Sequence, residues 1–324
     1  MDTFATVLAK WRARAGSTAR MAFWAALDRH RPTRRYRRNI WTADAGSSGV
    51  VTRVISSDQT LSIITGLFRM TRGLSYVCIS LARAHDRRAG MVEEFAKQNI
   101  NARFFDAFEL KGCGHGIPGY DTGARLRRYG WLLSPGELGC YLSHRAVWRQ
   151  LVESGSNACC IMEDDVALLD GFKSATEELY ATREHWDMVR LMWLNRREQT
   201  EYAHLSSGTK LMWMESPVGL QCYMITREAA EAMLDYTSRI LHAIDIAFDR
   251  NWEHEQRMFV TEPQFVQDTG APTTILDRSD ARTLVQRLKA KYHRKVDRIA
   301  ARAYAKKHRP SSPITLDERK TIDA

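Results

Sequence analysis

Apolar residues recur at helical spacing through residues 138–151, and a short, wholly apolar run follows at 158–162. Ser134 and Glu137 stand where a capping serine and a capping-box glutamate would start that helix. The segment 154–157, Ser-Gly-Ser-Asn, breaks the periodicity. The pattern therefore predicts a helix, a turn, and then a strand that is short and apolar enough to be buried on both faces.

The segments on either side of this stretch also alternate between strand and helix patterns. Upstream, strands are predicted at 75–81 and 103–108, with a helix capped by Asp86 between them. Such a β-α-β unit implies parallel strands joined by a right-handed crossover. Downstream, the pattern predicts a helix at 172–180, strands at 187–194, 211–214 and 219–225, a polar loop at 196–208, and a helix capped by Thr226. The chain is therefore predicted to be an α/β protein with a mostly parallel central sheet.

Three consecutive acids, Glu163, Asp164 and Asp165, follow the predicted buried strand directly. In open α/β sheets, ligands bind in the crevice beyond the carboxyl ends of the strands. Residues two apart on a strand point the same way, so Glu163 and Asp165 are expected to share one face. Carboxylate oxygens suit Mg²⁺ or Mn²⁺, which can hold a diphosphate. The alternative is that the acids cap the next helix or simply face solvent.

The overall composition is that of an ordinary globular protein, with 44% hydrophobic residues. Its six cysteines form no C-x-x-C pair, which argues against a zinc site or a disulfide framework and favours a reducing compartment. No apolar run approaches the roughly 18 residues that cross a bilayer. The N-terminus lacks the apolar core of a signal peptide. These features predict a cytoplasmic protein.

The net charge of +10 is concentrated at the two ends of the chain. Residues 1–38 and 281–310 are rich in lysine and arginine and poor in acids, so the rest of the chain is net negative. Both ends interleave this charge with apolar residues, as amphipathic helices at a membrane interface do. They are therefore expected to bind an anionic membrane surface peripherally. A solvated charged helix or a nucleic-acid tail is the alternative, and the negative body makes nucleic acid an improbable partner.

The central stretch resembles the signature of glycosyltransferase family 25, the lipooligosaccharide and collagen sugar transferases. The resemblance is carried by L-S-P-G-E-L-G-C-Y-L-S-H at 133–144 and I-M-E-D-D at 161–165. The first predicted strand, with Ser80 where the family usually has asparagine, is also similar. So are three later segments, G-L-Q-C-Y-M-I-T-R-E-A-A from Gly219, H-A-I-D-I-A-F-D from His242, and E-P-Q-F-V-Q-D from Glu262.

The resemblance implies a GT-A nucleotide-sugar transferase fold over residues 74–275. It also implies inverting transfer of a hexose, galactose or glucose, from a UDP-sugar to a hydroxyl of a glycan or glycolipid acceptor, with Mn²⁺ or Mg²⁺ at the acids 163–165. The residues expected to contact the nucleotide or its diphosphate are Arg83, Arg87, Ser143, His144 and Asp164. An acceptor hydroxyl needs a general base, for which Asp245 is the first candidate and Asp268 the second.

Outside the resemblance, residues 1–73 are expected to form a basic N-terminal extension with a linker, and 276–324 a basic C-terminal helix and tail. Two other classes of protein remain compatible with the sequence. One is another metal-dependent phosphate enzyme, such as a nucleotidyltransferase or nuclease, that uses the same acids. The other is a non-enzymatic membrane or nucleic-acid binding protein. Metal-dependent UDP binding and UDP-sugar hydrolysis distinguish both from a transferase.

Overall fold

The computed structural model describes residues 73–111, 116–195, 199–270, 283–308 and 312–316. The predicted basic N-terminal segment, residues 1–38, and the linker after it lie outside the described residues. So do the glycines at positions 112 and 114 and the segment 271–282.

Helices and strands alternate along most of the described chain. The strands are β1 (Leu74–Ser80), β2 (Ala102–Asp106), β3 (Ala158–Glu163), β4 (Val166–Leu168), β5 (Met188–Arg190), β6 (Gln199–Leu205), β7 (Lys210–Met214), β8 (Cys222–Thr226), β9 (Met258–Glu262), β10 (Val266–Asp268) and β11 (Ile314–Leu316). The helices are α1 (His85–Lys97), α2 (Thr122–Tyr129), α3 (Pro135–Ser154), α4 (Phe172–Ala181), α5 (Arg227–Tyr236), α6 (Ile244–Phe248), α7 (Asn251–His254) and α8 (Leu284–His308), and a 3₁₀ turn lies at Arg183–His185.

Nine of these strands form one central sheet in the order β11-β6-β7-β9-β5-β8-β3-β1-β2, while β4 and β10 form a separate antiparallel pair. Strands β2, β1 and β3 are parallel neighbours, as are β5 with β9 and β6 with β11. The other neighbours are antiparallel. The α/β class with a large central sheet is confirmed, and it is the architecture expected of a GT-A transferase.

Helix α3 forms where the sequence pattern predicts it, and its ends have the expected caps. The Ser134 side chain accepts a hydrogen bond from the backbone N–H of Glu137, whose carboxylate accepts one from the backbone N–H of Ser134. The helix ends at Gly155, which adopts a left-handed conformation with φ of 74° that glycine tolerates without steric cost. Because Tyr141 and Trp148 are fully buried, α3 is a core helix along much of its length.

Hydrophobic clusters lie on both faces of the sheet. One contains side chains of α1 and α4, including Phe95, Phe172 and Leu179. The other contains side chains of α3 and α5, including Trp148 and Met233. Strand β3 contributes to both clusters and is buried from Ala158 to Met162, as a central strand covered on both faces must be.

Three local predictions differ from the structure. Most of the segment predicted as a polar loop, 196–208, is strand β6, whose alternating pattern buries only Ala203 and Leu205 and therefore looks polar in sequence. Helix α1 begins at His85 with Ala84 in the cap position, so Asp86 lies in the first turn and does not cap it. Strands β5 and β8 are shorter than predicted.

Candidate active site

The three acids lie at the carboxyl end of β3, beside the carboxyl end of its parallel neighbour β1. Strand β3 ends at Glu163, and Asp164 and Asp165 form the turn that leads into β4. The expectation that Glu163 and Asp165 share one strand face is therefore wrong, because it assumed a strand continuing through Asp165. The turn still keeps all three carboxylates together at the edge of the sheet.

The Asp164 carboxylate is held by two side chains from the β1–α1 unit. Ser80, the last residue of β1, donates to Asp164 Oδ2 at 2.6 Å, and Arg87 in α1 donates to Asp164 Oδ1 at 2.9 Å. Arg88 donates in turn to the Ser80 hydroxyl and the Ser80 carbonyl, at 3.2 and 2.8 Å. This network fixes Asp164 and places Arg87 at the acids, where a diphosphate contact was predicted for it.

The Asp165 carboxyl group is less well satisfied. Its Oδ1 atom is buried without a hydrogen-bond partner, and its Oδ2 atom lies 3.7 Å from Arg87. Burial, followed by repulsion from Glu163, raises the pKa of Asp165 to about 6. A bound cation would pair with this buried carboxylate oxygen and would reduce the repulsion between Asp165 and the neighbouring acids. The residues at this turn therefore fit a divalent metal ion with oxygen ligands.

Glu163 faces helix α3, where it meets a buried polar chain. Trp148 Nε1 donates to the Tyr223 hydroxyl at 2.8 Å, and that hydroxyl lies 2.9 Å from His144 Nδ1. His144 Nε2 lies 3.4 Å from Glu163 Oε1. Because a carboxylate oxygen only accepts hydrogen bonds, the His144 hydrogen is assigned to Nε2, and Nδ1 then accepts from the Tyr223 hydroxyl. His144 is fully buried, and its two ring nitrogens face Tyr223 and Glu163. The nucleotide contact predicted for it stays a prediction.

Cys140 completes a small cluster with His144 and Glu163. Their potential ligand atoms all lie within 4.8 Å of one another, which makes them a possible metal-binding group among the described residues. Burial, followed by the charge of Glu163, raises the pKa of the Cys140 thiol well above its usual value. A protonated thiol and an imidazole whose Nε2 carries hydrogen are poor metal ligands. Cys140, His144 and Glu163 are therefore better described as a hydrogen-bonded cluster than as a metal site.

A cleft of about 460 Å³ opens beside Glu163 and Cys140. Asp245 lines it from the first turn of α6, and its Oδ1 atom accepts a hydrogen bond from the backbone N–H of Ile246 at 2.8 Å. Burial raises the pKa of Asp245, and the nearby charge of Asp249 adds to the rise, whereas the Ile246 hydrogen bond opposes it. Asp245 is thus a carboxylate of increased basicity at the wall of a cleft.

Asp268, the second candidate base, occupies a different place. It pairs with Val166 in the β4–β10 ladder, is exposed, and accepts a hydrogen bond from the backbone N–H of Gly270 at 2.7 Å. Its charge contributes to the raised pKa of Asp165, so it belongs to the acidic turn. It is not among the residues that line the cleft with Asp245.

Two of the predicted nucleotide contacts, Arg83 and Ser143, have protein partners in this structure. Arg83 is exposed and forms an ion pair with Glu109 at 2.9 Å. Ser143 is fully buried, donates to the Gly139 carbonyl at 2.7 Å and accepts from the backbone N–H of Phe108 at 2.9 Å. This position supports a structural role for Ser143, because its hydroxyl already joins α3 to the segment after β2.

Several cleft residues could not be singled out from sequence. They come from segments far apart in the chain: Arg125 and Tyr129 of α2, Trp131 after it, Gln221 before β8, and Arg294 of α8. Arg125 is nearly buried, stacks on the Tyr129 ring and donates to the Leu241 carbonyl at 3.0 Å. For Arg125, Tyr129 and Trp131, the sequence offers only a mixture of arginines and aromatic residues at 125–131, which is equally common on ordinary helices.

Comparison with known proteins decides the family. The family model described as "Glycosyltransferase family 25 (LPS biosynthesis protein)" matches residues 75–248, which include the acids of the β3 turn and Asp245. The chain belongs to glycosyltransferase family 25. The predicted resemblance is confirmed.

Individual family 25 relatives match shorter stretches. A rat protein named "Probable inactive glycosyltransferase 25 family member 3" is 34% identical over 126 residues, which cover 35% of this chain and 21% of that protein. "Procollagen galactosyltransferase 1" of Danio rerio is 28% identical over 34% of this chain and 20% of its own length. "Lacto-N-neotetraose biosynthesis glycosyltransferase LgtB" of Neisseria meningitidis serogroup A is 28% identical over 57% of this chain and 70% of its own. The chain thus spans about a fifth of the rat relative.

Proposed function

We propose that this glycosyltransferase moves a hexose, galactose or glucose, from a UDP-sugar to a hydroxyl group of a glycan acceptor such as a lipooligosaccharide core, with inversion at the anomeric carbon. The observation that carries the proposal is the acidic turn at 163–165 beside a cleft that contains Asp245. The LgtB match, which covers more than half of this chain, favours a glycan acceptor over a protein acceptor.

The acidic turn supplies the donor side of this proposal. Asp165, with Glu163 and Asp164 beside it, would hold Mn²⁺ or Mg²⁺, and the ion would neutralise the charge that develops on the leaving diphosphate. Arg87 lies 2.9 Å from Asp164 and adds a fixed positive charge at the same edge of the sheet. Ser80 and Arg88 keep Asp164 in place without contacting the donor.

Asp245 supplies the acceptor side. In a direct displacement, the acceptor hydroxyl attacks the anomeric carbon, its proton passes to a carboxylate, and UDP leaves with the bonding electrons. A carboxylate whose pKa is raised by burial holds that proton better than an exposed one. Asp245 lines the cleft and Asp268 does not, so Asp245 is assigned as the base.

The test compares the wild-type chain with Asp245→Asn and Asp268→Asn. UDP release from UDP-galactose and UDP-glucose is measured with Mn²⁺, first without and then with glycan acceptors. We expect acceptor-dependent turnover by the wild type. Asp245→Asn should lower kcat by about a hundredfold or more, the usual scale for loss of a general base, with UDP affinity unchanged. Asp268→Asn should have a smaller effect.

Two results would contradict the proposal in different ways. If Asp268→Asn loses turnover and Asp245→Asn retains it, the reaction stands but the base is wrongly assigned. If the wild type binds UDP but releases none from either sugar donor with any acceptor, the proposed hexose transfer is wrong. The chain would then be grouped with the relatives that are named inactive.

A further inference from the structure

Helix α8 packs on the catalytic domain through one face. Ala290 and Ala301 are buried there, and Asp297 between them receives hydrogen bonds from Arg128 at 2.5 Å and Arg250 at 3.0 Å. Arg294, on the border of the same face, lines the cleft that contains Asp245. This helix lies outside residues 75–248, the part of the chain that the family model matches.

The opposite face of α8 exposes a continuous apolar stripe. Successive residues turn by about 100° around a helix axis, so the stripe residues fall within an arc of about 120° on the side away from Ala290. Each is between 43% and 72% exposed, which is unusual for large apolar side chains aligned on one helix. The stripe consists of Leu284, Val285, Leu288, Tyr292, Val296 and Ile299.

Exposed basic residues border this stripe. By the same helical geometry, Lys291 and Arg298 lie along one edge and Lys289 along the other, and Lys295 lies just inside the first edge. Over its whole length α8 carries nine basic residues and a single acid, Asp297, which faces the domain. The outward surface of the helix is therefore apolar along its centre and positive at its borders.

We propose that this face of α8 docks on an anionic lipid membrane, with the stripe buried at the level of the headgroups. An amphipathic helix with a basic border binds such a surface through its apolar side chains and its charge together. A nucleic acid would attract the lysines and arginines through its phosphates, but it would not bury the apolar stripe. Another copy of this chain, or its own residues 1–38, would bring more positive charge to a positive border.

Docking of α8 on a membrane does not require sugar transfer. One consequence alone rests on the proposed function. Because α8 carries both the stripe and Arg294 of the cleft wall, a docked protein would hold its cleft near the membrane, where a lipid-linked acceptor glycan is presented. Among the described residues, no helix has the length and apolar content to cross a bilayer, so α8 would lie on the surface.

Vesicle flotation of the full chain tests the proposal without any sugar donor. Vesicles of phosphatidylcholine alone are compared with vesicles that also contain phosphatidylglycerol. We expect binding to the anionic vesicles only, and weaker binding as the salt concentration rises. The double variant Leu288→Gln with Tyr292→Gln should bind at least about tenfold more weakly, because both side chains would enter the interface. The matched control, Val92→Gln with Ile314→Gln, changes exposed apolar residues elsewhere and should bind like the wild type.

A charge variant separates lipid docking from a folding defect. Lys291→Glu with Lys295→Glu leaves the apolar stripe intact and should also abolish binding to anionic vesicles. Circular dichroism establishes that each variant is folded. Binding of the Leu288 and Tyr292 variant at the wild-type level, or no flotation of the wild type, would overturn the proposal. So would preferential binding of RNA or DNA, or self-association, that the stripe variant removes. If the wild type floats with anionic vesicles but transfers no sugar, the proposed function is wrong and the membrane docking stands.

Discussion

At the scale of single residues, the acidic turn combines one well-held carboxylate with one that lacks partners. Asp164 is fixed by Ser80 and Arg87, whereas Asp165 carries a buried oxygen without a hydrogen bond and a raised pKa. A fixed acid alone would fit a structural role. The unpaired neighbour is what makes the turn a candidate cation site, because nothing in the described protein compensates its charge fully.

Replacement of this unpaired acid gives a direct prediction. Asp165→Asn should lower transferase activity by about a hundredfold or more, since even residues behind metal ligands cost 10–100-fold when they are lost. The fold should be retained, because the change removes repulsion from Glu163. Mn²⁺ should raise the melting temperature of the wild type but not that of the variant. Asp170→Asn, at an exposed acid nearby, is the control and should keep both properties. Equal stabilisation of Asp165→Asn by Mn²⁺ would remove Asp165 from the metal site.

At the scale of elements, helix α3 and the segment after β2 are joined by a very close contact at Phe108. The Ser143 hydroxyl binds the backbone N–H of Phe108, and a Cβ atom placed on Gly139 would lie 2.3 Å from the Phe108 carbonyl oxygen. Only glycine allows this approach of helix to backbone. In the segment from Gly139 to His144, Gly139 and Ser143 therefore pack α3 against Phe108, and His144 contacts Glu163.

A pair of glycine substitutions tests this contact. Gly139→Ala should lower the free energy of unfolding by about 2 kcal/mol, within the range typical of overpacking, because backbone atoms would have to move. Gly90→Ala, in the exposed part of α1 with no atom within 4 Å of the new Cβ, should raise stability by about 0.5–1 kcal/mol through helix propensity. Urea unfolding measures both. An increase in stability in both variants would show that the Phe108 contact does not limit position 139.

The elements show where sequence patterns are sufficient and where they are not. The caps of α3 and the buried strand β3 could be predicted, because a capping box and a run of apolar residues are local signals. Strand β6 could not, because only Ala203 and Leu205 of its residues are buried. The lining of the cleft by Arg125 and Arg294 depends on packing between α2 and α8, which are far apart in sequence. Long-range packing of that kind leaves no local pattern.

At the scale of the whole molecule, helix α8 is held against the described chain before it by a clasp of three residues, Asp297, Arg128 and Arg250. Arg128 of α2 and Arg250, next to α7, both donate to Asp297 of α8. Burial alone would raise the pKa of Asp297, but the hydrogen bonds from the two arginines outweigh it and hold that pKa below its usual range. The assignment of residues 276–324 to a basic C-terminal helix and tail stays a prediction. Helix α8 itself packs against α2 and α7.

The clasp should control how firmly α8 is held. Because the pKa of Asp297 is lower in the folded state, its contribution is complete above the unfolded pKa of about 3.9 and is lost as the pH falls through the folded value. At neutral pH, Asp297→Asn should destabilise the docked helix by about 1–3 kcal/mol, seen as faster hydrogen exchange in α8. Glu215→Gln, which removes only an ion pair with the exposed Arg302, should change exchange by less than about 1 kcal/mol. Unchanged exchange in Asp297→Asn would show that other contacts hold the helix.

The hydrogen bond from Ser80 to Asp164 gives the structural setting of position 80, where the resemblance to the family leads one to expect asparagine. In this chain the hydroxyl donates to Asp164 and accepts from Arg88. An asparagine side chain offers the same two functions from two atoms, because its amide nitrogen donates and its oxygen accepts. Serine and asparagine are therefore equivalent donor–acceptor groups at this position. An acid in the turn after β3 can be held in place by any side chain at the end of β1 that both donates and accepts a hydrogen bond.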